Sequence, residues 1–215
     1  MKNTDWYRNS SWNEAIRVEF YRRLERSRTP HNKAQYLRLQ ALHLLEANLH
    51  SPALELLELY FRDYPEDLML TEAHLLYAIA LAGVNRNEEA LVHFRITIQR
   101  QRVYPNLITT VPIDFAIFVL QTKNKELYEE ALQELNNYEV RRREIFFPSE
   151  KYNLNGLRAI LLSLLDRKTE AKFYAEIALA AADLRDSGFR KHKTLGLVAN
   201  KKSRLHKLLK KLAAA

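Results

Sequence analysis

Apolar residues recur at every third or fourth position along nearly the whole chain, which is the spacing of one face of an α-helix. The segment 51–65 is the clearest example, because Ala53, Leu57 and Tyr60 fall on a single helical face. Alternating strand patterns are almost absent, and four glycines with six prolines leave room mainly for short loops. The pattern therefore predicts an all-α fold.

Residues suited to helix ends mark where several of these helices begin and stop. Ser51 is predicted to cap the helix of segment 51–65, and Pro65 is predicted to end it. Ser11 opens a capping-box pattern, and Thr71 is placed to cap a later helix that Gly83 closes as a C-terminal glycine. These signals divide the chain into about nine helices and a tail.

The first helix carries an apolar stripe of Trp12, Ile16, Phe20 and Leu24. Each of these side chains contributes about 1.5–3 kcal/mol when it is buried, so the stripe needs a partner surface. We expect the helix to pair with residues 33–49 as an additional antiparallel hairpin. The alternative is that it lies along a groove of the protein and fills it.

Four alanines open the second helix of successive helix pairs: Ala53, Ala90, Ala131 and Ala171. Their separations are 37, 41 and 40 residues. A small side chain at this point lets the two helices of a hairpin approach closely. A period of this length is typical of an array in which each helical hairpin buries its face on the next.

The chain here resembles the tetratricopeptide-repeat (TPR) superfamily. The best unit consists of Leu37, Ala41, Leu44, Ala53, Leu57, Tyr60 and Pro65. The resemblance covers roughly residues 33–185, and the period exceeds the 34 residues of the consensus repeat, as in degenerate bacterial repeats. It implies a right-handed superhelical array of antiparallel helical hairpins. A helical bundle without repeats is the alternative.

The resemblance also implies a concave surface lined by the first helix of each pair. The positions that would face it are Gln35, Arg38, Leu42, Glu72, Leu75, Ile79, Ala116, Asn153 and Ile160. This set mixes apolar and polar residues and has no dominant charge, which favours a peptide or protein segment over nucleic acid.

No catalytic pattern accompanies these helices. The four glycines are isolated, the seven histidines lack metal-ligand spacing, and there is no cysteine. We therefore expect a non-enzymatic protein without a cofactor or metal. The absence of cysteine and of a long apolar run favours a cytoplasmic location, and we expect a monomer or weak homo-oligomer.

The charge is concentrated at one end of the chain. Residues 1–189 have a net charge of −1, whereas residues 190–215 carry nine Lys/Arg and no acidic residue. Leu205, Leu208, Leu209 and Leu212 form an apolar stripe among these lysines. This pattern favours binding to nucleic acid or an anionic membrane, capping of the last hairpin, or a disordered tail. The last five residues are interpreted as an expression-vector junction.

Three regions follow from these patterns: an N-terminal helix in residues 1–32, a TPR-like domain in 33–189 and a basic extension in 190–215. The leading hypothesis for function is an interaction module that binds a protein or peptide along its concave face. Such a module would act as a regulator or as an immunity-type protein that neutralises its partner. Binding of nucleic acid or an anionic membrane through the extension is the alternative.

Overall fold

The computed structural model describes residues 5–66, 68–104, 106–142, 147–188 and 190–214. Within these residues the protein is all-helical and has no strand, as the apolar periodicity predicts. The α-helices are α1 (Glu14–Glu25), α2 (Pro30–Glu46), α3 (His50–Asp63), α4 (Leu70–Gly83), α5 (Asn87–Val103), α6 (Val111–Thr122), α7 (Tyr128–Arg142), α8 (Pro148–Leu164), α9 (Lys168–Asp183) and α10 (Arg204–Ala214).

The chain forms two compact units, Met1–Val111 and Pro112–Ala215. In the first unit α2 packs on α3, α4 packs on α5, and α4 also contacts α2 and α3. In the second unit α8 packs on α9 and on α7, and α10 packs on both α8 and α9. The boundary between the units falls inside the predicted 33–189 domain, and the predicted extension belongs to the second unit.

Three helix pairs are joined by the same three-residue turn. Asn48, Asn85 and Asp166 adopt left-handed backbone conformations, with φ of 59°, 63° and 59°. In each turn the next residue donates its N–H to a carbonyl near the end of the first helix, as in Leu49 N–H to Leu44 O at 2.8 Å. This is the Schellman arrangement, which satisfies the last carbonyls of a helix.

The repeated alanine holds the same place in every pair. Ala53, Ala90, Ala131 and Ala171 are each the fourth residue of their helix, and none exposes more than 1% of its surface. The connection between α6 and α7 is longer than the three-residue turns. It contains Lys123, whose φ is 54°, and a 3₁₀ turn at Lys125–Leu127. This connection is two residues longer than the three-residue turns, which adds to the 41-residue spacing between Ala90 and Ala131.

Several predicted caps are wrong, although the helices themselves are present. Asn13, rather than Ser11, caps α1, and its side chain accepts the Ile16 N–H. Helix α3 starts at His50 and α4 starts at Leu70, one residue before the predicted caps. Ser51 and Thr71 therefore lie inside their helices. The cap residues of α3 and α4 are Leu49 and Met69, which make no side-chain hydrogen bond to the first turn, so local capping does not fix these two starts.

The residues before α1 fold back onto α2. The Asn9 backbone N–H donates to Gln40 Oε1 at 3.0 Å, and Gln40 Nε2 donates to the Asn9 carbonyl at 2.8 Å. Trp6 lies 4.8 Å from Tyr36 and 5.4 Å from Phe20, between ring centroids. Gln40 is fully buried, so this paired amide fixes the N-terminal segment to one side of α2.

The C-terminal helix α10 uses its apolar stripe for packing. Leu209 is fully buried, and Leu205 and Leu212 pack on a cluster formed by α8 and α9. Leu208 is 37% exposed and does not belong to the buried stripe, whereas His206 is 4% exposed and does. Of the alternatives for this segment, packing against the last hairpin describes the position of its leucines. Its final turn also packs there, although we interpreted it as a vector junction.

Candidate functional site

The candidate site in the first unit consists of two matching rows of side chains. Gln35, Arg38 and Leu42 are spaced i, i+3, i+7 on α2, and Glu72, Leu75 and Ile79 have the same spacing on α4. Because α2 contacts α4, the rows lie on neighbouring helices. An ion pair joins them, in which Arg38 NH1 donates to Glu72 Oε2.

Access to these residues differs from one to the next. The Arg38 side chain is 12% exposed and the Glu72 side chain 48%. Gln35 is exposed, and Leu42 and Ile79 are half-buried. Leu75 is only 5% exposed, so its predicted role as a surface contact is not supported by its position. The physical reason is that α4 is surrounded by α2, α3 and α5, which leave little of its circumference free.

The described part of the N-terminal segment, residues 5–13, contacts a different side of α2 from the Arg38 row. It contacts Tyr36 and Gln40, whereas Arg38 and Leu42 point from a different side of α2. At about 100° per residue, Tyr36 and Gln40 lie about 160° around the helix axis from Arg38 and Leu42. The segment therefore covers the side of α2 that faces away from the Arg38 row.

In the second unit the predicted positions do not form a comparable row. Ala116 is fully buried, so it offers no surface to a partner. Asn153 is exposed and lines a cleft of about 330 Å³ together with residues 197–200 of the C-terminal segment. Ile160 is half-buried further along α8. The candidate site is therefore best defined by α2 and α4.

A cluster of aromatic and histidine side chains was missed by the sequence patterns. His74 on α4 and His93 on α5 place their Nδ1 atoms 2.9 Å apart, so one ring donates and the other accepts. Phe61 stacks on His74 at 4.7 Å, and Tyr77 contacts His93 at 4.6 Å. The two histidines are 19 residues apart on different helices, and no local motif marks such a pair.

This cluster keeps its histidines neutral. Burial, followed by the charges of His93 and Arg100, lowers the pKa of His74 to about 4. Burial also lowers the pKa of His93, although the Glu89 carboxylate opposes this change. A protonated His74 would lose hydration and face a neighbouring imidazole, so the neutral pair is the stable form at neutral pH.

A buried arginine organises the second unit. Arg158 on α8 is 1% exposed, and it donates to Glu139 Oε2 at 2.7 Å and to the Leu135 carbonyl at 3.0 Å, both on α7. Its guanidinium also lies 5.2 Å from the ring centroid of Tyr174 on α9. These contacts tie α8 to both neighbouring helices, so we assign Arg158 a structural role.

The described residues contain no group of three or more His, Cys, Asp or Glu side chains arranged to hold a metal ion. In the same part of the chain, no helix has the combined length and apolarity needed to cross a lipid bilayer. The site on α2 and α4 presents an ion pair, an amide and two aliphatic side chains.

The chain matches none of the known protein-family models, curated proteins or solved structures with which we compared it. A functional assignment has to come from the residues themselves.

Proposed function

We propose that this chain is a non-enzymatic interaction protein with a TPR-like, right-handed superhelical array. It binds a peptide or protein segment along the concave surface formed by the first helix of each helix pair. The observation that supports this best is the ion pair between Arg38 and Glu72. It links α2 to α4, and the Glu72 side chain remains accessible to a partner. The adjoining Leu42 and Ile79 provide apolar contact area that is only half-buried.

An extended peptide has the chemistry to match this surface. Its backbone N–H groups suit the Glu72 carboxylate, and its carbonyl groups suit the Gln35 amide and the guanidinium of Arg38.

The repeated turns and alanines support the array itself. Three helix pairs share one turn geometry, and the alanine that follows allows close helix packing in each. Arrays of this kind act through long surfaces that bind segments of other proteins. Within this class the chain acts as a regulator or as an immunity-type protein that neutralises its partner, in a cytoplasmic setting.

The test uses peptides selected on the full-length protein from a random twelve-residue display library and measures their affinity by fluorescence anisotropy. The double variant Arg38→Glu/Glu72→Arg keeps the ion pair but reverses its direction. We expect it to weaken peptide binding by about tenfold or more, because the loss of one charged hydrogen bond has this size.

The matched control is Arg86→Glu/Glu89→Arg, which reverses an exposed ion pair that follows the opposite end of α4 from Glu72 and should leave peptide affinity unchanged. Circular dichroism of both variants should match that of the wild type. Failure of the selection, or equal affinity for the reversed Arg38–Glu72 pair, would remove the α2 and α4 surface from consideration.

A further inference from the structure

The helix α10 and the segment that leads to it carry a concentration of exposed positive charge that the proposed peptide surface does not use. We infer that this basic face, formed by the Lys and Arg residues of 190–211, binds the phosphate backbone of nucleic acid. The inference is independent of the peptide site, which lies in the first unit.

The two sides of α10 are sharply different. Leu205, His206, Leu209 and Leu212 are buried or half-buried on its inner side. With about 100° between successive residues, Arg204, Lys207 and Lys211 fall within about 60° of one another. This basic stripe is centred nearly opposite the buried side, so it faces away from α8 and α9.

The inner side is held by close packing, which fixes the helix in place. An added Cβ on Gly156 of α8 would lie 3.3 Å from Leu209 Cδ1, so the backbone of α8 approaches α10 closely. Tyr152 on α8 also lies 3.5 Å from His206 Nδ1, measured from its hydroxyl oxygen. The stripe is therefore presented by a docked helix, which reduces the entropy lost when it binds.

Most of the described cations of this segment have no ion pair in the structure, whereas many arginines elsewhere in the protein do. Elsewhere many exposed arginines pair with a nearby carboxylate, as in Arg86 with Glu89 and Arg167 with Glu170, each at 2.7 Å. Among residues 190–214, Lys201 makes an ion pair with Asp183 at 3.2 Å. The structure gives no ion pair to the other cations that it describes there, all of them exposed: Arg190, Lys191, Lys193, Lys202, Arg204, Lys207, Lys210 and Lys211.

A membrane is the less suitable partner for this surface. An amphipathic helix binds a bilayer by inserting its apolar face between the lipids. The apolar face of α10 is already used against α8 and α9, and Leu208 is the leucine of this stripe that remains exposed. Insertion would require α10 to leave its packing site.

An acidic protein surface is also less suitable. The central part of a protein–protein interface is typically rich in aromatic and apolar anchors and poor in lysine. The α10 helix has the opposite composition, because four of its eleven residues are Lys or Arg and none is Phe, Tyr or Trp. Phosphate groups need only closely spaced positive charges, and α10 is about 16 Å long, enough to contact several phosphates.

The absence of aromatic residues on this face also predicts how the nucleic acid is bound. Base stacking needs exposed aromatic rings, and base-edge recognition needs side chains that enter a groove. A convex face of lysines contacts mainly phosphates. We therefore expect binding that depends strongly on salt and little on base sequence.

The test measures binding of the full-length protein to a labelled 20-base-pair DNA duplex by fluorescence anisotropy between 50 and 200 mM salt. The variant Arg204→Gln/Lys207→Gln/Lys211→Gln removes the stripe. Loss of about three phosphate contacts should lower affinity by about tenfold or more and reduce the slope of log K against log salt by about 2–3.

The matched control, Lys123→Gln/Lys125→Gln/Lys172→Gln, removes the same charge from exposed lysines elsewhere in the second unit and should change affinity by less than threefold. A charge-preserving variant, Arg204→Lys/Lys207→Arg/Lys211→Arg, should retain binding. All three variants should melt at the wild-type temperature, because the substituted side chains are exposed.

Three results would overturn the inference. The stripe variant and the control could lose affinity equally, which would leave no role for this face. The wild-type protein could bind phosphatidylserine vesicles but not the duplex. Polyglutamate at equal charge could displace the duplex as well as unlabelled duplex does, which would indicate an acidic protein partner.

Discussion

Gly83 has no side chain, and this leaves room for a side chain of the neighbouring helix α3. As predicted, it closes α4, because it is the last residue of that helix, and the left-handed conformation of the following turn falls on Asn85. A Cβ built on Gly83 would lie 2.2 Å from Cγ of His50, at the start of α3. The glycine therefore makes room for an imidazole, a role that its sequence position alone does not reveal.

Gly83→Ala is predicted to destabilise the protein. Helix propensity alone favours alanine by about 1 kcal/mol, whereas the clash with His50 costs about 1–3 kcal/mol. We expect a lower free energy of unfolding in urea denaturation. The double variant His50→Ala/Gly83→Ala restores the space, so it should lose less stability than the two single changes predict together. A higher denaturation midpoint for Gly83→Ala would contradict the steric explanation.

Turn residues show what the sequence reveals at this scale. Asn48, Asn85 and Asp166 tolerate a left-handed backbone better than most residues do, and each lies two residues after the end of a helix. The caps were less predictable, because Ser11, Ser51 and Thr71 all have suitable side chains and none of them caps a helix. Which candidate begins a helix depends on packing that local sequence does not record.

At the scale of elements, α1 is anchored mainly by one aromatic residue. Phe20 is 1% exposed and Leu24 is 7% exposed, but Trp12 precedes the helix and is only half-buried. The predicted stripe assumed that Trp12 is helical, and this is wrong because α1 starts at Glu14. Trp12 and Phe20 should therefore contribute unequally to stability.

Phe20→Ala is expected to lower the free energy of unfolding by about 3–5 kcal/mol, the range for removing a large aromatic side chain from a core. Trp12→Ala should cost about 1–2 kcal/mol, since part of the ring is already in water. Chemical denaturation of both variants measures the difference. Val18→Ala on the exposed side of α1 is the control and should change stability by less than about 0.5 kcal/mol. Equal losses for Phe20 and Trp12 would show that α1 is anchored differently.

Periodicity predicts the helices well because each must bury one face. The helices and their pairing in three hairpins follow from spacing and short turns, and the four alanines mark the close contacts. Periodicity does not reveal how many sides of a helix are covered. Leu75 and Ala116 were placed on a surface by analogy between repeats, but α4 and α6 are apolar around most of their circumference and bury those residues.

At the scale of the whole molecule, stability should depend on histidine protonation. His74, His93 and His206 all have pKa values that burial lowers below 6.5. The unfolded chain therefore binds protons that the folded protein resists. By linkage, stability is greatest above pH 6.5 and is lost as the pH falls from about 6.5 toward 4, the pKa of His74.

Urea denaturation at pH 7.5, 6.5 and 5.5 tests this dependence, and the free energy of unfolding should decrease over the lower part of this range. His74→Gln retains a hydrogen-bonding group opposite His93 but does not titrate, so its stability should fall less steeply with acid. His192→Gln, at an exposed position, is the matched control and should follow the wild type. A flat profile for the wild-type protein would be inconsistent with buried neutral histidines.

The candidate site could be predicted only in part. Arg38 and Glu72 were named from the resemblance to a repeat family, and the structure places them in contact. Their pairing was not predicted, because it depends on how α2 and α4 are aligned. The basic charge of residues 190–211 is visible in the sequence, but which side of α10 faces outward follows only from the packing of its leucines.

The shared turn has a consequence for how such a chain evolves. In three hairpins, a left-handed Asn or Asp is followed five positions later by a buried alanine. The residue that follows the left-handed one differs in kind, because Leu49 corresponds to Arg86 and Arg167. Selection that preserves the hairpin fold therefore constrains few positions in each hairpin. We expect homologues to diverge rapidly in overall identity while retaining this pair of residues, at intervals near 40, as the most durable trace of common ancestry.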